Sequence, residues 1–233
     1  MRTRSNLCFL VLVIAVGGYS RGGPVPMSPV DVVPVPRARL CITEGRLEAL
    51  SGSRLAVTVP KMRAFVAAAT TQSVEARLKY LGPTAAGSPL GSGEMRRQFG
   101  LKLRAQDGCN LVYAMWRIEP ESKLVVSVKR NPGMRASSQC GNRGYRNIKA
   151  RRSSPVPRLS PGDSHTLRAD MKGSEMRVSV DNHVVWEGDL GQEVLSLDGP
   201  VGVRTDNGRF EFTLLVGELG RPIACNAADK GDD

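Results

Sequence analysis

The feature of this sequence that most restricts its fold is a two-residue alternation of apolar and polar side chains in many short segments. In the segment QFGLKLR, Phe99, Leu101 and Leu103 fall on one face. Lys102 and Arg104 fall on the other face. This pattern is typical of strands with one buried side, and Gly, Pro, Asn and Asp residues separate the segments. Many short strands at this spacing predict an all-β chain, folded as an antiparallel sandwich or barrel.

The alternation continues through most of the chain. The segment 109–118 (CNLVYAMWRI) is apolar on both faces, which predicts a central strand. Asp181 and Asn182 tolerate positive φ angles and predict the turn of a hairpin. Two short segments, 43–50 and 64–70, are the helix candidates. The other predicted strands are 54–59, 73–81, 98–104, 123–130, 164–172, 175–180, 184–187, 200–204 and 209–216.

The two ends of the chain differ from this body. Residues 1–20 combine a basic start with the apolar core LCFLVLVIAV, which predicts a cleaved signal peptide. That core is too short for a transmembrane helix, so we expect no membrane span. The prolines of 21–38 predict an extended spacer, followed by a single domain at 39–218 and a polar tail at 219–233. We therefore expect a secreted, periplasmic or cell-surface protein.

Four cysteines remain once the predicted signal peptide is removed, namely Cys41, Cys109, Cys140 and Cys225. An even number in an exported chain indicates disulfides, and the absence of a CxxC motif argues against a metal or redox site. Four cysteines allow three pairings. We favour Cys109–Cys140 together with Cys41–Cys225, and the second pair requires terminal strands that lie side by side.

Two stretches of the C-terminal half resemble a known fold family. The run HTLRADMKGSEMRVSVDNHVVWEGDL places one strand before a Gly turn and the next before an Asp-Asn turn. The run GPVGVRTDNGRFEFTLLV leads into a last strand. Together they resemble laminin-G-like and concanavalin A-like jelly rolls over 63–216, and they are similar to bacterial domains grouped as 3-keto-disaccharide hydrolase-like.

This resemblance implies an antiparallel jelly-roll β-sandwich that binds or processes glycans. The fold alone does not decide between binding and processing. In such jelly rolls the two chain ends pair within one sheet, which agrees with the Cys41–Cys225 pairing.

The net charge of +11 is concentrated in the middle of the chain. Residues 96–152 hold 14 Lys and Arg against three acids, whereas residues 153–217 hold six bases and ten acids. Such asymmetry produces a local field that attracts anions. Nucleic acid is not the expected partner, because the chain has features of export and lacks the basic motifs of nucleic-acid readers. An acidic or sulfated glycan is the expected partner, and a solvated basic face without specific binding is the alternative.

Alternation predicts which basic side chains share a surface with aromatic rings. Arg forks match carboxylate and sulfate groups, and Tyr rings offer sugars a flat apolar surface. If the three basic strands are neighbours, their polar faces form one surface, and the loop 131–152 adds to it when Cys109–Cys140 holds that loop. Trp116 and Trp186 are expected in the core. The candidate glycan-binding residues are Lys102, Arg104, Tyr113, Arg117, Lys129, Arg143, Tyr145, Arg146 and Lys149.

Motifs for catalysis and metal binding are weak. A GxSxG match at 18–22 begins in the predicted signal peptide and lacks the strand-to-helix context of a nucleophile elbow. Glu187 and Asp189 have the spacing of the paired acids in jelly-roll glucanases, but neighbouring glycines predict an exposed turn. His165 is expected at the surface beside a strand start. No cofactor is predicted, although the pair Asp206-Asn207 would suit a partial Ca²⁺ site.

Three functions remain open from the sequence. We expect a non-enzymatic, lectin-like domain for an anionic polysaccharide or cell-surface glycan. The alternative is a polysaccharide-degrading enzyme in the same groove. A lyase would use a Tyr as general acid and base and an Arg on the uronate carboxylate, and a hydrolase would need two acids. The third is an envelope structural domain that contacts protein.

Overall fold

The computed structural model describes residues 32–67, 72–222 and 225. The predicted signal peptide and most of the predicted spacer lie outside these residues. Within them, two antiparallel sheets pack face to face and enclose one main apolar core. This is the all-β antiparallel sandwich that the alternation predicts. No helix in this part of the chain is long and apolar enough to cross a membrane.

Sheet A holds nine strands within the described residues. Its order is β11-β14-β13-β12-β6-β16-β4-β3, and β1 also pairs with β16. Its strands are β1 (Val33–Pro34), β3 (Glu48–Ala49), β4 (Leu55–Val57), β6 (Ser73–Pro83), β11 (Arg152–Ser153), β12 (Ser164–Lys172), β13 (Glu175–Val180), β14 (His183–Asp189) and β16 (Gly208–Val216).

Sheet B holds seven strands within the same residues, in the order β10-β9-β8-β7-β15-β5-β2. Its strands are β2 (Leu40–Glu44), β5 (Lys61–Val66), β7 (Arg97–Leu103), β8 (Leu111–Glu119), β9 (Lys123–Lys129), β10 (Tyr145–Asn147) and β15 (Gly202–Asp206). The strands β7, β8 and β9 are neighbours, as the proposed basic surface requires.

Alternation in sheet B separates a core face from an outer face. In β8, Val112, Ala114 and Trp116 belong to the apolar core. Tyr113 and Arg117 alternate with them and therefore point to the outer face. Trp116 and Trp186 are buried, which confirms their predicted place in the core. The outer face of sheet B therefore carries the polar and aromatic side chains that do not pack in the core.

Both favoured disulfides are present, Cys41–Cys225 and Cys109–Cys140. The first and last strands of the sandwich also lie side by side in sheet A, since Val33 pairs with Val216. The strand β1 falls within the range that sequence analysis assigned to the spacer, and Val35 just after it is fully buried. The last part of the proline-rich segment therefore packs on the sandwich.

Two sequence predictions of local structure are wrong. The segment 43–50, expected as a helix, begins inside β2 and contains β3, and 64–66 of the second helix candidate belong to β5. Ala64 and Val66 face the core two residues apart, so strand pairing overrides their helix propensity. Residues 68–70 lie outside the described residues. The described helices are one α-helical turn, α1 (Ser137–Cys140), and the 3₁₀ turns Arg37–Arg39 and Gln192–Ser196.

The hairpin turn between β13 and β14 is as predicted, with Asp181 and Asn182 at φ values of 49° and 65°. The exposed turn expected around Glu187 is instead part of strand β14 in sheet A. There the Glu187 carboxylate accepts from Arg177 at 2.7 Å and pairs with Arg152 at 2.9 Å. Its neighbouring glycine continues the strand by pairing with Met176.

Candidate functional site

A groove with a cavity of about 350 Å³ lies on the outer face of sheet B. Its floor is formed by every strand of that sheet, from β10 at one edge to β2 at the other. Each strand contributes the residues that alternate with core residues and so point away from the core. The charged and aromatic side chains that line the groove floor include Arg63, Tyr113, Arg117, Lys129, Tyr145 and Arg204.

A cluster of cations and aromatic rings occupies the middle of the groove. The rings of Tyr113 and Tyr145 stack with centroids 6.0 Å apart. The Arg204 guanidinium lies 5.3 Å from the Tyr113 ring centroid and donates to the Tyr145 hydroxyl at 3.3 Å. The Lys129 ammonium lies 5.1 Å from the Tyr145 ring centroid. Both contacts have the geometry of a cation–π interaction.

The buried carboxylate of Asp206 anchors this cluster from below. Its Oδ2 accepts from Arg204 Nε at 2.8 Å and from Gln98 Nε2 at 2.7 Å. Arg63 Nη2 lies 3.5 Å from its Oδ1. Burial by itself raises the pKa of Asp206, but Arg204 and Arg63 outweigh it and hold this pKa below its ordinary value. Asp206 is therefore ionised and fixes two arginines in the floor of the groove.

The two stacked tyrosines have pKa values displaced in opposite directions. Burial raises the pKa of Tyr113, and the neighbouring Tyr145 raises it further. Burial acts in the same sense on Tyr145, but Arg204 and Lys129 outweigh it and lower the pKa of Tyr145. The pair therefore combines a hydroxyl that ionises more easily than an ordinary tyrosine with one that ionises less easily.

Two groove cations have no carboxylate within ion-pair distance among the described residues, Arg117 and Lys129. The Nε of Arg117 is buried and has no hydrogen-bond partner there. Lys129 donates to the Gly108 carbonyl at 3.0 Å, and burial lowers its pKa. Lys129 pairs with Leu111, six residues before Arg117 on β8, so the two cations lie about 20 Å apart along the strands.

The carboxylates that line the groove are each paired with an arginine, Glu44 with Arg63 and Glu94 with Arg96. No group of three or more His, Cys, Asp or Glu residues suited to a metal ion occurs in the part of the chain that the structure describes. The side chains of the Asp206-Asn207 pair, suggested for a partial Ca²⁺ site, bond to protein groups in this structure. Asn207 bonds to the backbone of Ser88 and Arg96.

The structure distributes the nine candidate residues over several places. Four of them line the groove, Tyr113, Arg117, Lys129 and Tyr145. Lys102 is on the same face, paired with Tyr113 across the sheet, but it is buried outside the groove lining.

The other four candidates lie elsewhere. Arg104 follows the end of β7 with a φ of 46° and donates to the carbonyls of Val194 and Gly173, so it does not share the face of Lys102. Arg143 donates to the Gln139 carbonyl. Arg146 pairs with Glu193, because its neighbours Tyr145 and Asn147 take the outer face of β10. Lys149 is exposed.

Arg63 and Arg204 also line the groove and were not among the predicted binding residues. Each alternates with core residues, Arg63 between Met62 and Ala64, and Arg204 after Val203. That alternation was a usable signal for the outer face. The position of β15 between β7 and β5, which brings Arg204 to the groove, depends on strand order and has no local signal.

His165 lies apart from the groove. Its Nδ1 is 2.6 Å from the Asp181 carboxylate, and its ring contacts Trp116 with centroids 5.4 Å apart. The side chain is partly exposed at the start of β12, beside the strand start where it was expected. Asp170 is paired with Arg168 and is not the carboxylate that contacts His165.

The fold and the groove define the chain as an antiparallel jelly-roll sandwich of the concanavalin A-like kind. No protein-family model and no curated protein sequence matches it. Among solved structures, it is similar to the carbohydrate-binding module CBM66 from Bacillus subtilis, with a TM-score of 0.52 and 12% identity over 75% of this chain and 91% of that one.

Two further solved structures are similar. One is the carbohydrate recognition domain of Emp46p, with a TM-score of 0.48 and 12% identity over 78% of this chain and 89% of that one. The other is domain 4 of AbnA, an extracellular arabinanase from Geobacillus stearothermophilus, with a TM-score of 0.46 and 10% identity over 77% and 83%. These similarities concern the fold.

Proposed function

We propose that this protein is an exported carbohydrate-binding domain that takes an acidic or sulfated glycan in the groove of sheet B. The observation that carries the proposal is the pair of groove cations without carboxylate partners, Arg117 and Lys129. Lys129 lies on β9, between the strands that carry the stacked Tyr113 and Tyr145, and Arg117 is four residues from Tyr113 along β8. The fold similarity to the module CBM66 supports carbohydrate as the class of ligand.

The groove offers each part of an acidic sugar a complementary group. Tyr145 is 37% exposed, and the uncovered part of its ring offers an apolar surface to the C–H face of a sugar ring. Arg117 presents guanidinium N–H groups that match a carboxylate or sulfate. Lys129 adds a point charge at the other end of the groove. A neutral glycan would leave both cations without an anionic partner, so we expect discrimination in favour of acidic chains.

Export is supported by the two disulfides, because disulfides persist in oxidising compartments. Cleavage of the predicted signal peptide is tested by N-terminal sequencing of the protein recovered from its native host. A mature N-terminus near residue 21 is expected. Recovery of the intact Met1 terminus from a cytoplasmic fraction would contradict export.

Glycan binding is tested by matched substitutions inside and outside the groove. Arg117→Met and Lys129→Met each remove one groove charge, and each should weaken calorimetric binding of polygalacturonate or a sulfated glycan roughly tenfold or more. Arg143→Met and Arg146→Met remove the same charge outside the groove and should leave affinity within twofold. Equal losses in all four variants would contradict the groove as the site. No binding to any acidic glycan would contradict the proposed glycan-binding function and would favour the alternative of an envelope structural domain.

A second candidate function is β-elimination of a uronate polymer, and the opposed pKa displacements of Tyr145 and Tyr113 favour it. The Tyr145 phenolate would take the proton from the carbon next to the uronate carboxylate. The released electron pair forms the carbon–carbon double bond as the glycosidic C–O bond breaks, and Tyr113 gives the leaving oxygen its proton. The carboxylate would be neutralised by Arg204 or Arg117.

The two candidates are separated by turnover. Incubation with alginate and with polygalacturonate, followed by ultraviolet absorbance, detects the unsaturated product. A lyase would produce a rising signal that Tyr145→Phe abolishes while binding persists. Binding without any absorbance change across these polymers would exclude lyase activity on them and support the binding function.

A further inference from the structure

Two connections between strands rise from opposite ends of sheet B beside the groove. The first arm, residues 84–96, joins β6 to β7 and enters the sheet where Arg97 pairs with Glu119 at the end of β8. The second arm, residues 130–144, joins β9 to β10 and leaves the sheet where Lys129 pairs with Leu111 at the start of β8. These two points are separated by the length of β8, about 26 Å.

The arms meet above the groove. Leu90 and Gly91 of the first arm and Asn142 of the second arm all line its cavity. A Cβ built on Gly91 would lie 3.7 Å from the Cβ of Asn142, so the Gly91 Cα itself lies within about 5 Å of that atom. The two arms together form a roof, which spans the groove along the strand direction. The cavity of about 350 Å³ is near the lower limit of small-molecule sites, about 300–1,000 Å³.

Each arm has its own anchor. In the first arm, Asn207 accepts from the Ser88 N–H at 2.7 Å and donates to the Ser88 and Arg96 carbonyls at 2.9 and 2.8 Å. The second arm is tied to the start of β8 by the Cys109–Cys140 disulfide. Its two ends are joined by Asn131, which donates to the Arg143 carbonyl at 3.0 Å. The roof is thus a fixed part of the sandwich.

We propose that the groove takes the end of an acidic glycan and does not take the interior of a long chain. This inference rests on the proposed function and names its substrate class. A sugar in the middle of a polymer would have to pass between Gly91 and Asn142 to reach the floor of the groove. A terminal sugar, or a short oligosaccharide, enters beneath these two residues from the side.

The test compares short and long fractions of alginate and of polygalacturonate by titration calorimetry. End binding gives one bound protein per chain at every length, with an affinity per mole of chains that does not rise with length. A number of bound proteins per chain that rises with length overturns end binding and leaves glycan binding in place. No binding to any fraction overturns the proposed function and the inference together.

A matched pair of variants tests whether the roof is responsible. Asn207→Gly keeps the backbone at its φ of 55° but removes the three side-chain hydrogen bonds that anchor the first arm. We expect several proteins to bind each long chain in this variant. Asn182→Gly changes another asparagine at positive φ, in the β13–β14 turn of sheet A, and should keep one protein per chain.

A second roof variant guards against misfolding of the first. Asn207 bonds to both Ser88 and Arg96, so these residues lie side by side, and two glycines suffice to replace 89–95 between them. This shortened arm should also admit long chains at several proteins per chain. If both folded roof variants still bind one protein per chain at every length, the roof does not select chain ends and the inference fails.

Discussion

Asp206 offsets part of the positive charge of the groove floor although its side chain has no exposed surface. It holds Arg204 and lies beside Arg63, so its negative charge compensates arginines that are themselves largely buried. An unpaired buried charge is strongly unfavourable, which makes the carboxylate a requirement of the fold. The same contacts keep Arg204 in place against Tyr113 and Tyr145 before any ligand arrives.

Asp206→Asn should lower the free energy of unfolding at neutral pH by about 3–5 kcal/mol, because it leaves buried arginines without their carboxylate. Urea denaturation measures this loss. Asp198→Asn, at an exposed position, should change stability by less than about 0.5 kcal/mol. A loss of similar size in both variants would show that Asp206 has no special role.

Asp206 should also give stability a specific pH dependence. Its pKa in the folded chain is below the ordinary value of 3.8, so its stabilisation is complete above that value and is lost as the pH falls through the lowered pKa. Denaturation at a series of acidic pH values should therefore show a steeper loss in the wild type than in Asp206→Asn. Parallel curves would contradict the lowered pKa.

Tyr145 should be the first of the described tyrosines to ionise. Its pKa is lowered from 10.0 by Arg204 and Lys129 against the effect of burial, whereas burial raises those of Tyr80 and Tyr113. An ultraviolet titration should show one tyrosine ionising early, and Tyr145→Phe should remove that step. Tyr80→Phe is the control and should retain it. Persistence of the early step in Tyr145→Phe would contradict the assignment.

At the residue scale, alternation predicted some groove residues and missed others for a physical reason. Tyr113, Arg117 and Lys129 follow a strict two-residue period, so their outer face was readable. Arg104 fits the same two-residue period, but β7 ends at Leu103. Arg104 itself has a positive φ, which turns its side chain away from the outer face. Arg204 was missed because it lies in the mildly acidic C-terminal half of the chain.

The elements differ in how the sequence encodes them. Most strands were predicted close to their observed bounds, because a half-buried strand carries its signal in its own residues. The strand β10 was predicted as loop, since all three of its residues are exposed and polar contacts with β9 hold it. The segments 43–50 and 64–70 show the opposite failure, in which pairing with distant strands decides the structure.

The two disulfides act on different elements and should separate stability from binding. In the chain-entropy model, closing a loop of 31 residues contributes about 3–4 kcal/mol and closing one of 184 residues about 5 kcal/mol. Cys109→Ala with Cys140→Ala should therefore lower stability less than Cys41→Ala with Cys225→Ala. The first pair should also weaken glycan binding, since it releases the second arm.

Urea denaturation and calorimetry under conditions where both variants are folded measure the two effects. The Cys41–Cys225 variant is the matched control, because neither cysteine lines the groove and its affinity should equal that of the wild type. Weakened binding in that variant alone would show that the groove depends on the chain ends rather than on the arm.

At the scale of the whole molecule, the +11 net charge acts through a local surface. Strands that are far apart in sequence collect Arg63, Arg117, Lys129 and Arg204 on one face, and the compensating acids Asp206 and Glu44 leave a partial excess there. This arrangement needs the order β9-β8-β7-β15-β5, and long-range pairings of that kind leave no local pattern in a single sequence.

Binding of an acidic glycan should therefore weaken with salt. The Debye length falls from about 10 Å at 0.1 M to about 3 Å at 1 M, so screening should reduce the affinity for polygalacturonate by roughly severalfold or more over this range. The melting temperature in the same buffers is the control for a general effect on the fold. An affinity that is indifferent to salt would exclude recognition by charge.

The anchor of the first arm also separates the part of the site that holds the molecule together from the part that shapes its opening. Asn207 fixes Ser88 and Arg96 as neighbours whatever lies between them, and residues 89–95 contribute the roof and Glu94, the groove carboxylate that pairs with Arg96. Loop segments of different length or composition can therefore replace residues 89–95 without disturbing the sheets. A library confined to these positions would vary ligand choice on an unchanged scaffold.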